Sequence, residues 1–368
     1  MQQHSADSLR DVQSDILMMI EKLCEANIMT LVDNPSDKYY FWGEIGLYYP
    51  LYISVELTSR CNFACQFCYK NAYYKGTDIE PMIMKELFEM IGGKTRDIQF
   101  TGGEPFLNKN IDDYIRLFCD HNISIVTNGS MLFQHDDSIL RMVSLYQISM
   151  YGCNMDEYAA NTHYALGWNN LKSSIAKLNS LGCNYHLSVV INKNNYFNLE
   201  DYIRAAIDLG AHKIIFGTQT PVGRGMKNKS CLSIDEYRIA FRLLKCMIKK
   251  YSPLIEIEEW SHKGYENDTT LEVHPVKEYQ GLLPCGSGTS HFVISQEGKV
   301  RPCELLPEKY FNLGGIEVIK RAIRGNFTNK SILKGATDFN EELNQYGQSC
   351  AQFCGPLEKL LNSSNADK

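Results

Sequence analysis

Residues 51–70 read LYISVELTSRCNFACQFCYK, an apolar run followed by three closely spaced cysteines. Its first part is an apolar run typical of a buried strand. Cys61, Cys65 and Cys68 follow on one loop, with the spacing Cys-x3-Cys-x2-Cys. Three thiolates can hold three irons of a cuboidal 4Fe-4S cluster, which ordinarily takes four cysteines. The spacing therefore predicts a cluster whose fourth iron is open to another ligand.

Two other uses of these cysteines stay open, half of a zinc site or three ordinary thiols. A structural zinc site usually takes four ligands from two pairs, and these cysteines have no histidine nearby. The cluster interpretation fits the spacing better.

A second motif lies in DIQFTGGEPFLN, where a strand-like run ends in Gly102, Gly103, Glu104 and Pro105. The separation between Cys68 and Gly102 leaves room for one helix between the two motifs. Taken alone, this second motif is also compatible with a simple strand-ending turn.

Together, the cysteine triad, with Phe67 before its last cysteine, and the GGEP motif resemble the signature of the radical S-adenosylmethionine (radical SAM) superfamily. The resemblance implies that the open iron binds the amino and carboxylate groups of S-adenosylmethionine. The cofactor is then cleaved to a 5'-deoxyadenosyl radical that abstracts a substrate hydrogen. It also implies that the glycines let the backbone approach the cofactor and that Glu104 accepts a hydrogen bond from the methionine ammonium. The cofactor-binding residues expected from the two motifs are Phe67, Gly102, Gly103, Glu104 and Pro105.

Strands and helices alternate from residue 51 to residue 260, the pattern of parallel βα units. The predicted fold class is therefore α/β, and the resemblance implies a partial (β/α)6 TIM-like barrel that is open at one side, because six units cannot close an eight-stranded barrel. Strands are predicted near 51–57, 97–102, 123–128, 146–151, 185–191 and 213–218, and helices near 81–92, 110–121, 136–145, 168–181, 199–209 and 234–251.

Chemistry is expected at the carboxyl ends of these strands, as in full barrels. Thr127 and Asn128 end the third predicted strand and are expected beside the cofactor. Ser149 ends the fourth, where relatives often place a polar contact to the cofactor carboxylate; a hydroxyl that caps a turn is the alternative. Many relatives carry an arginine near Thr162 for that carboxylate, and this chain has none there. Arg224, in the Gly-rich segment PVGRG, is a candidate partner, with a surface arginine as the alternative.

Four cysteines return after residue 260. Two of them flank SHFVISQEGKVRP, which has the pattern of a hairpin, and two follow it: Cys285, Cys303, Cys350 and Cys354. This arrangement resembles a SPASM-like extension in its short form, the twitch domain, and implies a second, auxiliary 4Fe-4S cluster with four cysteine ligands. A four-cysteine zinc site is the alternative, because Cys-x3-Cys lies within zinc spacing. The expected domains are a barrel at 51–260 and a small C-terminal twitch-type domain at 261–368.

Residues 1–50 form a separate predicted element. Apolar residues at three- and four-residue steps indicate a helix, and the aromatic segment KYYFWGEIGLYYP follows it. One hypothesis is an extension of helix and hairpin that contacts the leader of a peptide substrate. The other is that the same helix and hairpin pack against the barrel.

Composition narrows the class of protein. A net charge of −6 argues against nucleic acid as the main partner, because phosphate binding draws on clustered lysine and arginine. The sequence contains no apolar run long enough to span a membrane and begins with a polar segment, which predicts a cytoplasmic protein without a membrane partner. Cytoplasmic thiols are kept reduced, so 13 cysteines favour metal ligation or catalysis over disulfides.

Two further cysteines are candidates for catalysis. Cys153 directly follows the fourth predicted strand, and Cys231 follows the loop after the sixth. A thiol at the rim of the barrel can donate a hydrogen atom to a substrate radical, while packing as a small apolar side chain is the alternative use.

These features predict a radical SAM enzyme that resembles the maturases of ribosomally made peptides. The expected reaction is hydrogen abstraction from a small precursor peptide, followed by a thioether or carbon crosslink. The expected partners are that peptide, an electron donor such as flavodoxin or ferredoxin, and a separate leader-recognition protein. A radical SAM peptide epimerase, a small-molecule dehydrogenase of twitch type and a zinc-binding interaction protein are the alternatives, because one fold hosts many reactions.

Overall fold

The computed structural model describes residues 17–18, 20–22, 43–260, 286–326 and 330–345. The chain divides into two compact units, Met1–Phe41 and Trp42–Lys368. In the first unit the described residues are helical, and most of the apolar positions expected on that helix lie outside the described residues. The second unit carries the sheet.

In the residues that the structure describes, the second unit is built on one sheet of nine strands. Seven of them, β1 to β7, are parallel, and each pairs with its successor in the chain. Consecutive order is what successive right-handed βα units produce when they curve towards a barrel. The strands are β1 Tyr52–Thr58, β2 Asp97–Gly102, β3 Asn122–Thr127, β4 Leu145–Ser149, β5 Tyr185–Ile191, β6 Lys213–Thr218, β7 Glu256–Trp260, β8 His291–Ile294 and β9 Val300–Arg301.

Helices connect the parallel strands, and further helices follow β9. Eight of them lie between β1 and β7: α1 Pro81–Ile91, α2 Ile111–Leu117, α3 Asp137–Leu140, α4 Met155–Thr162, α5 Gly167–Leu181, α6 Leu199–Asp208, α7 Arg224–Lys227 and α8 Ile234–Tyr251. Three more follow β9: α9 Glu308–Phe311, α10 Glu317–Ile323 and α11 Lys330–Gln345. No helix in the described ranges is long and apolar enough to cross a membrane.

The two faces of the sheet differ in polarity. Tyr146 and Ile148 of β4 are fully buried in the apolar core. Gln147 and Ser149, which point to the opposite face, line a cavity inside the curved sheet. Alternation along the strand therefore separates a hydrophobic outer layer from a polar lumen.

The segment after the undescribed residues 261–285 returns to the sheet. The predicted hairpin forms, with Val293 opposite Arg301 in an antiparallel β8–β9 pair. Its first strand also pairs in parallel with β1, where Val55 lies opposite Ile294. A segment from the far end of the described chain thus extends the sheet at the β1 edge.

The α/β fold class and the six predicted strands are confirmed, with boundaries shifted by one or two residues. A seventh parallel strand, β7, and the short helix α4 were absent from the predicted elements. The third predicted helix, 136–145, is only α3 Asp137–Leu140, because the chain turns there to enter β4 at Leu145. The domain boundaries at 50/51 and 260/261 stay predictions.

Candidate functional site

The candidate site is a cavity of about 270 Å³ at the carboxyl ends of the parallel strands. Its wall brings together loops that are far apart in the sequence. Ten of the residues that the sequence singled out line it: Cys61, Cys65, Phe67, Cys68, Gly102, Gly103, Thr127, Asn128, Ser149 and Arg224. Glu104, Pro105, Cys153 and Cys231 are not part of the described wall.

The three cysteine thiols lie on one loop that faces the cavity. Cys61 and Cys65 are buried and Cys68 is half-buried. Burial and the nearby Glu104 carboxylate raise the pKa of the Cys61 thiol to about 12. Metal binding to such thiols requires their deprotonation and releases protons. Three sulfur donors on one loop, sheltered from water and open to a cavity, fit the predicted ligand set of a 4Fe-4S cluster.

Among the described residues, no group of three or more His, Cys, Asp and Glu side chains is arranged around a point that could hold one metal ion. Cluster ligands do not converge in that way, because each cysteine binds a different iron of the cuboid. The arrangement therefore does not resemble a mononuclear zinc site.

The GGEP turn lies against the start of the cysteine loop. The backbone N–H of Gly103 donates to the Thr58 carbonyl at 2.8 Å, and that of Glu104 donates to the Arg60 carbonyl at 2.8 Å. A Cβ at Gly102 or Gly103 would overlap these two carbonyl oxygens. Both glycines are therefore required by close packing of two protein backbones, in addition to the approach of a cofactor that the sequence suggested.

Glu104 is fully buried beneath this turn. Its carboxylate accepts hydrogen bonds from Thr127 Oγ1 at 2.7 Å, from the backbone N–H of Asn128 at 2.8 Å and from that of Phe106 at 3.2 Å. Desolvation raises the pKa of Glu104 to about 7, although all three of these bonds act in the opposite direction. The carboxylate thus ties the end of β2 to the end of β3, and its contact with the methionine ammonium stays a prediction.

Asn128 reaches from the end of β3 to the cysteine loop. Its side-chain amide donates to Asn62 Oδ1 at 2.9 Å and approaches Cys61 Sγ at 3.9 Å. The backbone N–H of Phe63 also donates to Cys61 Sγ, at 3.4 Å. Hydrogen bonds to cysteine sulfur are among the contacts that set the reduction potential of an iron–sulfur cluster.

Aromatic rings pack around the middle of the cysteine loop. Tyr151, which follows β4, contacts Phe63 with ring centroids 5.7 Å apart and Phe67 with centroids 5.8 Å apart. Tyr158 of α4 contacts both Phe63 and Tyr151 edge to face. These rings give the thiol side of the cavity an apolar wall, which helps to keep water from a reactive centre.

Ser149 lies on the cavity wall opposite Ser188 of β5 in the sheet register. At the position where many relatives carry an arginine, Thr162 is fully buried and its hydroxyl donates to the Tyr158 carbonyl at 2.7 Å. Its own carbonyl accepts from the backbone N–H of Ala64 at 2.9 Å. The end of α4 thus holds the middle of the cysteine loop, and the role of Ser149 toward the carboxylate stays a prediction.

Arg224 faces the cavity, but its side chain is engaged with protein atoms. Its Nε donates to the Cys65 carbonyl at 2.7 Å and its Nη1 to the Ala72 carbonyl at 2.8 Å. The guanidinium also lies 4.3 Å from the centre of the Tyr73 ring, within the range of a cation–π contact. A role in binding the cofactor carboxylate stays a prediction, and the observed partners indicate another role.

Cys153 and Cys231 follow strands that end at the cavity, but neither is among the residues that line it. The Cys153 thiol donates to Glu157 Oε2 at 3.1 Å, and burial together with Glu157 raises its pKa to about 12. The Cys231 sulfur accepts from Gln219 Nε2 at 3.5 Å, and it is Gln219 that lines the cavity.

Cys303 is the one expected auxiliary ligand within the described residues, and it is half-buried after β9. Arg301 Nε donates to its carbonyl at 3.2 Å. Cys285, Cys350 and Cys354 lie outside the described residues, so the auxiliary cluster stays a prediction.

The sequence interpretation missed several polar residues of the lumen. Gln147 and Ser188 line the cavity on neighbouring strands, and Lys70 lines it beside the cysteine loop. Lys70 pairs with Glu56 of β1, which also pairs with Arg301 of β9. Polar residues at alternate positions of otherwise apolar strands are the signal that could have identified Glu56, Gln147 and Ser188 as facing the lumen.

Comparison with known families agrees with this geometry. Residues 55–206 match the model of the Radical SAM superfamily. The matched segment contains the three cysteines, the GGEP turn and strands β2 to β5, and it begins within β1. These residues therefore form a radical SAM domain, and the members of that superfamily are enzymes.

Two similar curated proteins come from Bacillus subtilis. The antilisterial bacteriocin subtilosin biosynthesis protein AlbA is 24% identical over 279 residues, which cover 73% of this chain and 57% of AlbA. The sporulation killing factor maturation protein SkfB is 24% identical over 313 residues, which cover 82% of this chain and 70% of SkfB. GTP 3',8-cyclases and a PqqA peptide cyclase also match.

Among solved structures, Streptococcus suis SuiB bound to the precursor peptide SuiA aligns with a TM-score of 0.64. The alignment covers 85% of this chain and 77% of that chain, at 14% sequence identity. A likeness at this identity shows the fold alone, an α/β partial barrel.

Proposed function

We propose that this chain, whose residues 55–206 form a radical SAM domain, modifies a ribosomally made precursor peptide by radical chemistry. The observation that carries the proposal is the meeting of three thiols, the Gly102–Gly103 turn and the polar ends of β3 and β4 around one cavity. When bound, the cluster and S-adenosylmethionine supply a 5'-deoxyadenosyl radical, and the protein supplies position and shelter.

The residues on the wall divide this work. Cys61, Cys65 and Cys68 would hold the cluster, and the strand ends carrying Thr127 and Ser149 would contact the cofactor. The aromatic side chains around the loop exclude water from the same space, which protects a radical from quenching by solvent.

The names of the relatives support a peptide as the substrate. AlbA and SkfB are named for the biosynthesis or maturation of a bacteriocin and a killing factor, and SuiB was crystallised with a precursor peptide. The match spans little more than half of AlbA, so the substrate of the present chain is inferred from its site as well.

The wall of the cavity favours a peptide over GTP, the substrate named for other matched relatives. Within the described wall, the cationic side chains are Lys70 and Arg224. Lys70 pairs with buried Glu56, and Arg224 donates to two backbone carbonyls. A triphosphate needs several cations with free donors, and this wall does not offer them.

We propose a thioether or carbon crosslink as the product, rather than an epimerised residue. An epimerase needs a thiol that returns a hydrogen atom to the substrate radical, and neither Cys153 nor Cys231 is among the residues that line the described cavity. In crosslinking, one hydrogen atom goes to the 5'-deoxyadenosyl radical. Closing the new bond would then release one proton to solvent and one electron, for which the auxiliary cluster that Cys285, Cys303, Cys350 and Cys354 would hold is the proposed acceptor. Flavodoxin or ferredoxin would supply the electron that cleaves the cofactor, and a separate protein would present the leader.

The test is anaerobic reaction of the reconstituted enzyme with the precursor peptide encoded beside its gene, in deuterated buffer, followed by mass and chiral amino-acid analysis. We expect a product lighter by two hydrogens, from the wild type and equally from Cys153→Ala and Cys231→Ala. GTP serves as the control substrate and should remain unchanged.

A product in which one α-carbon carries deuterium and has inverted configuration would point to epimerisation. If one of the two cysteine variants no longer formed this product, crosslinking would be overturned. Consumption of GTP with an unmodified peptide would overturn the peptide substrate altogether.

A further inference from the structure

The segment that follows β6 lies directly on the cysteine loop. Residues 221–225 read PVGRG, and the backbone N–H of Arg224 donates to the Cys68 carbonyl at 3.0 Å. This contact joins the first and sixth βα units, so it forms only when the two are brought together around the barrel.

The Arg224 side chain adds three contacts to the same loop. Nε and Nη1 donate to the carbonyls of Cys65 and Ala72, and Nη1 also approaches Asn71 Oδ1 at 3.4 Å. The face of the Tyr73 ring covers the guanidinium. One planar side chain thus bridges both ends of the segment from Cys65 to Ala72, a geometry that suits arginine and not the point charge of lysine.

Two neighbours of Arg224 act on the loop as well. A Cβ at Gly223 would overlap the carbonyl oxygens of Cys68 and Tyr69, and Gly223 has a φ of +59°. Asn228 Nδ2 donates to the Gln66 carbonyl at 2.5 Å. In the part of the chain that the structure describes, the long-range hydrogen bonds to backbone carbonyls of residues 65–72 come from Arg224 and Asn228.

The rest of the loop is held by other elements. The GGEP turn binds the carbonyls of Thr58 and Arg60, before the first cysteine. The end of α4 accepts from the backbone N–H of Ala64 at 2.9 Å and of Gln66 at 3.2 Å. Without the segment after β6, the backbone carbonyls around Cys65 and Cys68 would keep only hydrogen bonds from nearby residues of the same turn.

We propose that Arg224 is a positioning residue that holds Cys65 and Cys68 in the conformation that receives the cluster, rather than a ligand of the cofactor carboxylate. Preorganising a ligand loop lowers the ordering cost when the metal group binds. The inference rests on the cluster-binding part of the proposed function and not on the identity of the substrate.

The first measurement uses metal-free protein, so that its result does not depend on activity. Hydrogen exchange of the backbone amides of residues 61–73 is compared for the wild type, Arg224→Ala and Arg224→Lys. We expect exchange in this segment to rise on the order of tenfold or more in Arg224→Ala, because local opening loses two charge-assisted bonds. Exchange in β3, β4 and β5 should not change, which would show that the fold is retained.

Arg224→Lys should be intermediate, because an ammonium cannot reproduce the two-carbonyl fork. Gly223→Ala should raise exchange in the same segment by separating the two loops. Arg238→Ala is the matched control, since this exposed arginine of α8 pairs with Asp235 at 3.3 Å on the surface. Its exchange pattern should equal that of the wild type.

The second measurement follows reconstitution. Iron bound by the three-cysteine loop of Arg224→Ala should be lost to a chelator on the order of tenfold faster than in the wild type, and the electron paramagnetic resonance signal of the reduced cluster should broaden. Unchanged loop exchange and iron release, with weakened S-adenosylmethionine binding, would overturn the proposal and return Arg224 to the carboxylate. Failure of the peptide reaction alone would leave these results unaffected.

Discussion

At the scale of single residues, the motif positions act on the protein as well as on the predicted cofactor. Gly102 and Gly103 allow the β2 turn to touch the carbonyls of Thr58 and Arg60, and Glu104 accepts three protein hydrogen bonds beneath them. A motif read only as a cofactor contact therefore also determines how the cysteine loop begins. Mutations in this motif are expected to change both the stability of the protein and its binding of the cofactor. The two quantities therefore have to be measured separately.

Glu104→Ala is expected to lower the free energy of unfolding of metal-free protein by about 2–4 kcal/mol. The substitution leaves the Thr127 hydroxyl and the N–H groups of Asn128 and Phe106 buried without their acceptor, and each unsatisfied group costs about 1–3 kcal/mol. Chemical denaturation measures the change, with Glu104→Gln as the near-isosteric control and a smaller expected loss. Wild-type stability combined with weaker S-adenosylmethionine binding would instead identify Glu104 as a cofactor ligand.

Cys153 is expected to resist alkylation at neutral pH. Burial and the Glu157 carboxylate raise its pKa to about 12, so only the small thiolate fraction reacts, and the rate should rise about tenfold per pH unit up to that value. Mass-spectrometric mapping after iodoacetamide treatment checks this against the exposed thiols of Cys119 and Cys246. Glu157→Gln should accelerate labelling of Cys153. Labelling of the wild-type thiol as fast as the exposed ones would contradict this account.

At the scale of elements, three separate segments hold the cysteine loop, namely the GGEP turn, the end of α4 and the segment after β6. A fourth contact lies inside the lumen. Glu56 of β1 accepts hydrogen bonds from the Arg301 guanidinium of β9 and pairs with the Lys70 ammonium, and all three side chains are largely buried. These three charged side chains join the first strand, the end of the cysteine loop and the β8–β9 hairpin.

Glu56→Ala is expected to lower the free energy of unfolding by about 3–5 kcal/mol, because it removes the carboxylate that pairs with two buried cations. Arg301 would keep only the Glu308 carboxylate, at 3.7 Å. Lys85→Ala is the control: this lysine pairs with Glu89 at 3.8 Å on an exposed helix face, where such a pair contributes about 0.5 kcal/mol or less. Denaturant titration measures both. Equal, small effects of the two substitutions would show that water reaches the ion pairs of Glu56 in solution.

At the scale of the whole molecule, one sheet connects the radical SAM domain and the segment that carries Cys303. The parallel pairing of β8 with β1 places the hairpin beside the strand that leads into the cysteine loop. A structural connection of this kind would fix the distance between two clusters, which is what electron transfer between them requires.

Anaerobically reconstituted protein is expected to bind about eight irons, four per cluster. Replacing Cys61, Cys65 and Cys68 together by alanine should leave about half of them and abolish S-adenosylmethionine cleavage. Cys303→Ala should remove the other half of the iron. This variant should still cleave S-adenosylmethionine when no peptide is present. Iron and acid-labile sulfide assays measure the content. About four irons together with stoichiometric zinc in the intact protein would show that the second site is a zinc site.

The sequence by itself determined the features that are local. The Cys-x3-Cys-x2-Cys spacing, the GGEP turn and the apolar periodicity of β1 to β6 each depend on residues close together in the chain, so they could be interpreted without coordinates. They sufficed to predict the radical SAM domain, the parallel sheet and ten of the residues that line the cavity. β7 was missed because the segment EIEEW is short and holds three glutamates, a residue type that is depleted in strands. Only its pairing with β6 identifies it as a seventh parallel strand.

The contacts that these residues make could be identified only from the folded chain. The partners of Arg224 lie in the first βα unit, and two of the three partners of Glu104 lie at the end of β3. β8 pairs with β1, although the two strands are far apart in the sequence. Such contacts depend on how the sheet curves and which strands become neighbours, and no local pattern encodes them. Cys153 and Cys231 both follow strands that end at the cavity, and only the structure shows that neither lines it.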